Sequence, residues 1–155
     1  MTAVTLKTRF RAQFNRLLLN PVFTKTFDLI SPVRSFGDRG ERCAERHLMR
    51  QGLIIIERSF KNSIGEIDLI AVDERTIVFV EVKSRKSDSA GAPAEAVDDL
   101  KQEKITKTAI SYLKRHDLLD SRCRFDVIAI TWPIASKKPE VEHFKDAFAA
   151  TANTW

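Results

Sequence analysis

The sequence predicts an α/β domain in which a mixed β-sheet is covered by helices on both faces. Three observations carry this. The periodicities give the order helix, three strands, long helix, two strands, and strands on either side of a long helix suit a sheet with both parallel and antiparallel neighbours. Ile77, Val78, Phe79, Val80 and Val82 are apolar at both parities, as a strand buried on both faces must be. A chain of 155 residues, 43 % of them apolar, is suited to one core.

Taken in order, residues 1–36 form a basic arm broken by Pro21 and Pro32. Leu6, Phe10, Phe14 and Leu17 recur at spacings that suit one amphipathic helix. Three readings of the arm stay open: a helix packed on the domain, a basic nucleic-acid arm, or a targeting segment, since transit peptides are also Arg-rich and acid-poor. The domain proper spans residues 37–148. Asp38 is placed to cap a helix, with Glu41 three residues later as in a capping box. That helix runs to about Gln51 and stops at Gly52. Leu53 to Phe60 reads as a strand. Ile64 to Val72 and Thr76 to Ser84 read as two more, joined by a tight turn at residues 73–75. A small-residue loop around Gly91 leads into a long helix from Ala94 to Arg115. Arg124 to Thr131 is a strand ended by Pro133, and a short strand follows near Val141 to Phe144. Residues 149–155 form a tail with little signal.

The totals exclude some classes. No apolar run approaches the roughly 18–20 residues that span a bilayer, so a soluble protein is expected. Cys43 and Cys123 lack metal-ligand spacing and read as free thiols of a reducing, cytoplasmic compartment. The chain carries 26 Lys and Arg against 21 Asp and Glu. Residues 1–36 hold six of those bases (Lys7, Arg9, Arg11, Arg16, Lys25, Arg34) and one acid, Asp28, so the rest of the chain is electrically balanced. Overall pI is therefore no argument that the domain binds nucleic acid, and local clusters must carry that case.

The informative stretch is Gly65-Glu66-Ile67-Asp68-Leu69-Ile70, then Phe79-Val80-Glu81-Val82-Lys83. Strand side chains alternate faces. A hairpin with the even-numbered loop Glu74-Arg75 would set Val72 opposite Ile77 and Ile70 opposite Phe79. Glu81 would then oppose Asp68, and Lys83 would oppose Glu66 on the same face. Two facing carboxylates repel each other, and buried ones need a partner or a metal. Mg²⁺ takes such hard oxygen ligands, and a lysine beside them can orient a water or offset charge on a phosphodiester. A plain Asp68–Lys83 salt bridge is the alternative at this stage. Glu41 falls near the inward stripe of the first helix, where it either joins the acidic cluster or only closes the capping box with Asp38.

Together with Gly37, Asp38, Glu41, Ala44 and Gly52, with Lys101-Gln102 and Lys104, and with Arg124-Phe125-Asp126-Val127, these motifs resemble the YraN family of bacterial proteins over about residues 37–148. The resemblance implies the restriction-endonuclease-like PD-(D/E)XK fold, an α/β/α sandwich with a central mixed sheet and core order αβββαβ. It also implies likeness to archaeal Holliday-junction resolvases. On it, Asp68, Glu81 and Lys83 fall on the superfamily's Asp…Glu-x-Lys positions and Glu41 on the acidic position of the first helix. The backbone carbonyl of Val82 becomes a further metal ligand. Ile67 stands where the superfamily has proline.

The resemblance implies a metal-dependent endonuclease using Mg²⁺ or Mn²⁺ on DNA, branched or damaged, and a two-fold junction would suit a homodimer. Arg85 and Lys86, beyond the second motif, and Lys101 and Lys104, early in the long helix, are the candidates for phosphate contact. Ordinary solvated lysines are the alternative for each. A nuclease fold used only to bind nucleic acid or protein, without turnover, stays open beside the enzyme. Asp126 reads as the ion-pair partner of Arg124, Tyr112 as core, and His47, His116 and His143 show no ligand spacing.

Overall fold

The computed structural model describes residues 35–86, 97–134 and 138–151. The arm and most of the tail, the Gly91 loop and the first residues expected for the long helix lie outside them. Helix α1 spans Phe36–Arg50 and is followed by strands β1 (Ile54–Lys61), β2 (Glu66–Asp73) and β3 (Thr76–Lys86). Helix α2 (Asp99–Arg115) leads to β4 (Arg122–Trp132) and β5 (Glu140–Phe148). The five strands form one sheet in sequence order. The β3–β4 pair is parallel and every other pair antiparallel, because α2 carries the chain back across the sheet between β3 and β4.

The two faces have separate cores. Ala44 and Leu48 of α1 pack with Leu69, Ala71, Val78, Val80, Ile128 and Ile130. Ile105, Ala109, Tyr112 and Leu113 of α2 pack with Ile70, Val72, Ile77, Phe79 and Phe125 on the other side. The alternation on β3 divides Val78 and Val80 from Ile77 and Phe79 between the two cores, as a central strand requires. This is the expected α/β/α sandwich with a mixed sheet.

Three elements differ in their bounds from the sequence reading, for physical reasons. Helix α1 starts three residues early. Ser35 is the N-cap, its Oγ accepting from the Asp38 N–H at 3.0 Å while Asp38 Oδ2 accepts from the Ser35 N–H at 3.0 Å. The capping box is thus Ser35 with Asp38, and Glu41 does not close one. Helix α2 starts at Asp99 behind the Asp98 cap, whose carboxylate accepts from the Lys101 N–H. Strand β5 is also longer than expected, nine residues against four, because β4 offers it a full edge to pair with.

Candidate active site at the opening between β2 and β3

The turn between β2 and β3 has two central residues, Glu74 and Arg75, since Asp73 pairs with Thr76. Glu74 takes the left-handed φ of 52° that so tight a link demands. The register then sets Val72 opposite Ile77 and Ile70 opposite Phe79, as the even-numbered loop requires. The ladder ends at Leu69–Val80. Beyond that point the Asp68 side chain takes over from the backbone: Oδ2 accepts the Val82 N–H at 2.7 Å. Glu66, expected opposite Lys83, pairs instead with Lys61 of β1 and binds its ammonium at 2.6 Å.

At this opening Asp68 lies within electrostatic reach of both Glu81 and Glu41. Burial pushes the Asp68 carboxyl above its usual range, against the pull of the Val82 N–H and the Lys101 charge. Burial raises Glu81, and the charge of Asp68 raises it further. Glu41, on the edge of the buried Gly40-Ala44-Leu48 stripe of α1, is raised by the same two causes in the same order. All three groups are thus half-buried, and Asp68 acts on both of the others. The positive charges of Lys83 and Lys101 oppose the rise at Glu81.

Glu81 is the most constrained of the three. Its side chain is 12 % exposed and its Oε1 lies 3.1 Å from Lys101 Nζ. Its Oε2 is buried with no hydrogen-bond partner. A buried carboxylate oxygen without a partner is costly, and Oε2 has capacity for a further donor or cation. Among the described residues, no three His, Cys, Asp or Glu side chains stand close enough to ligate one ion as placed. Mg²⁺, however, commonly takes only one or two carboxylates and completes its shell with water and phosphate oxygens. The hard oxygen set of Asp68 and Glu81, with the unsatisfied Oε2, fits such an ion.

The other candidate residues fall as follows. Lys83 is half-buried on β3, two residues beyond Glu81. Val82 points the other way, into the α1-side core. Lys101 lies on the acidic cluster itself. Arg85 Nε donates to Thr131 Oγ1 at 3.3 Å, and Lys86 is exposed at the strand end. Lys104 is exposed one turn along α2, beside Gly65. Asp126 accepts from Arg124 Nε at 3.0 Å and is fully buried, as an ion-pair partner should be.

Sequence reasoning missed Ser59. The β1–β2 register on either side of it, Arg58 with Leu69 and Phe60 with Ile67, places it across from Asp68. Its φ is +48°, and its Oγ donates to Glu41 Oε2 at 3.2 Å. Non-glycine residues in that region carry strain that tends to gather at functional sites. A serine between Arg58 and Phe60 in a strand gives no warning of this.

A five-stranded mixed sheet between two helices is an α/β/α sandwich of the nuclease-like type. The chain belongs to the uncharacterised protein family UPF0102, whose model matches residues 40–130. It is 46 % identical to a UPF0102 protein of Rhodopirellula baltica over 127 residues, 80 % of this chain and 76 % of that one. It is 44 % identical to a UPF0102 protein of Geotalea uraniireducens over 115 residues, 74 % of this chain and 90 % of the relative. A Rhodococcus opacus UPF0102 protein is 42 % identical over 114 residues, 74 % and 96 % of the two chains. Among the described residues no helix is long and apolar enough to cross a membrane.

Proposed function

We propose that this protein is a metal-dependent phosphodiesterase acting on DNA, with Mg²⁺ or Mn²⁺ held by Asp68 and Glu81. The observation that carries the reading is the buried, unpartnered Oε2 of Glu81 beside a second half-buried carboxylate. The ion would supply a water of lowered pKa and neutralise charge on the scissile phosphate. The Val82 carbonyl, by the family resemblance, would be a further ligand. Glu41, steadied by Ser59, would hold a water on the α1 side of the opening. Lys83 would orient the attacking water or offset the negative charge that builds on the phosphate. Arg85, Lys86 and Lys104 would bind neighbouring phosphates and set register, not sequence.

The test is cleavage of linear, flapped, forked and four-way DNA in Mg²⁺ and in Mn²⁺, beside calorimetric titration of Mn²⁺. Asp68→Ala and Lys83→Ala should each abolish metal-dependent cleavage with the fold intact by circular dichroism. Full turnover in either variant overturns the assignment. A binding or adaptor module without turnover is the second reading, favoured by the electrical balance of residues 37–155. It is supported instead if Mn²⁺ fails to bind even with DNA present.

A further inference from the structure

Lys101 occupies an unfavourable place for its charge. It is the third residue of α2, next to the positive end of the helix dipole, where acidic side chains are preferred. A solvated lysine there would turn outward. Instead its ammonium lies 3.1 Å from Glu81 Oε1, and its charge also draws down the carboxyls of Asp68 and Glu66. It is thus the ammonium in contact with Glu81, with Lys83 and Lys61 acting on the same carboxylates. Its own side chain is 36 % exposed against 12 % for Glu81, so the lysine has a path away from the pair and the carboxylate does not.

We infer that Lys101 is an exchangeable internal counter-ion. It holds Glu81 when no divalent ion is bound, yields it to the ion, and passes to a phosphate of the nucleic acid. This rests on the reading of the acidic opening as an ion site. A 2+ ion and an ammonium on one poorly solvated carboxylate repel each other, so binding the ion displaces the lysine. A phosphate supplies the displaced ammonium with a new partner. Ion and nucleic acid therefore favour each other, and linkage makes the coupling reciprocal. The same ammonium offsets part of the mutual repulsion of Glu81 and Asp68 before the ion arrives.

The experiment is calorimetric titration of MnCl₂ into wild-type protein, Lys101→Met and Lys101→Gln, alone and with a four-way DNA carrying uncleavable phosphorothioate linkages. Lys107→Met, which removes a charge paired with Glu103 on the same helix, controls for net charge. Without DNA, both Lys101 variants should bind Mn²⁺ several-fold tighter than wild type and Lys107→Met should not. DNA should tighten Mn²⁺ binding several-fold in wild type and much less in the Lys101 variants. Equal or weaker Mn²⁺ binding by the Lys101 variants overturns the exchange, as does an undiminished effect of DNA. Asp68→Ala separates the two levels: if wild type binds Mn²⁺ and this variant does not, the ion site stands whatever the Lys101 variants do. If neither wild type nor the Lys101 variants bind Mn²⁺, the ion site falls and the exchange with it.

Discussion

Ser59 joins two features that sequence alone keeps apart, a strained backbone and a hydrogen bond to Glu41. Replacing it with glycine tests them separately. Glycine removes the left-handed strain, of order 1–2 kcal/mol, but frees the unfolded chain at a cost of roughly 0.5–1 kcal/mol. Thermal melting of Ser59→Gly should therefore stay near or slightly above wild type. Its Mn²⁺ affinity, read by calorimetry, should fall roughly tenfold because Glu41 loses its support. Unchanged affinity would show that the hydroxyl does nothing for the site. At this scale the sequence is legible where a period fixes direction. Strand alternation puts Glu81 and Lys83 on one face, and an even-numbered loop brings Asp68 to them. It is silent where tertiary docking decides. Nothing in Lys101-Gln102-Glu103-Lys104 distinguishes the lysine that meets Glu81 from the one that faces solvent.

Among the elements, α1 shows how packing chooses between two local signals. Ser35-x-x-Asp38 and Asp38-x-x-Glu41 both have the spacing of a capping box. The earlier start lets Phe36 meet the Trp132 ring at 6.1 Å, while Arg39 lies 4.4 Å over that same ring. Those contacts come from the far end of β4, beyond any window of local sequence. The helix is then pressed onto β3 at Gly40, where an added Cβ would lie 1.7 Å from Ser84 Oγ and 2.9 Å from Ser84 Cβ. Rotating the serine relieves the first clash but not the second, so the helix itself must shift. Gly40→Ala should destabilise the fold by about 1–3 kcal/mol, measured as a lower urea midpoint. Glu41 is the next residue, so the variant should also bind Mn²⁺ more weakly. A fully wild-type urea curve would mean that α1 is not seated this closely.

Across the whole molecule, two groups of charges act on stability in opposite senses. At the opening, burial raises Asp68, Glu81 and Glu41 above their ordinary range. Native protein therefore takes up protons before the unfolded chain does, and stability falls as pH rises from ordinary carboxylate values through the raised ones. The second group reaches from Asp73 at the end of β2, past β3, to β4 and β5. Fully buried Asp126 bonds Arg124, which also reaches Asp73, and accepts the Asp146 N–H at 2.9 Å. It also lies 2.9 Å from His143 Nε2. These partners outweigh burial and hold the Asp126 carboxyl below its usual range. Its stabilisation is present above the unfolded value and is lost as pH falls through the folded one. Breaking this group by Asp126→Ala should cost about 3–5 kcal/mol at neutral pH, because Arg124 and His143 lose a buried partner. Asp68→Asn should do the reverse, melting above wild type at pH 7.5 by a few degrees, of order 2–4 °C per kcal/mol for a chain of this size. The gain should shrink towards pH 4, about where an ordinary carboxyl protonates. Mn²⁺ should raise the melting temperature of wild type and leave Asp68→Asn unmoved, since only a native state that binds the ion is stabilised by it. A variant that melts below wild type at pH 7.5, or that Mn²⁺ still protects, would mean that Asp68 belongs to the scaffold and not to an ion site.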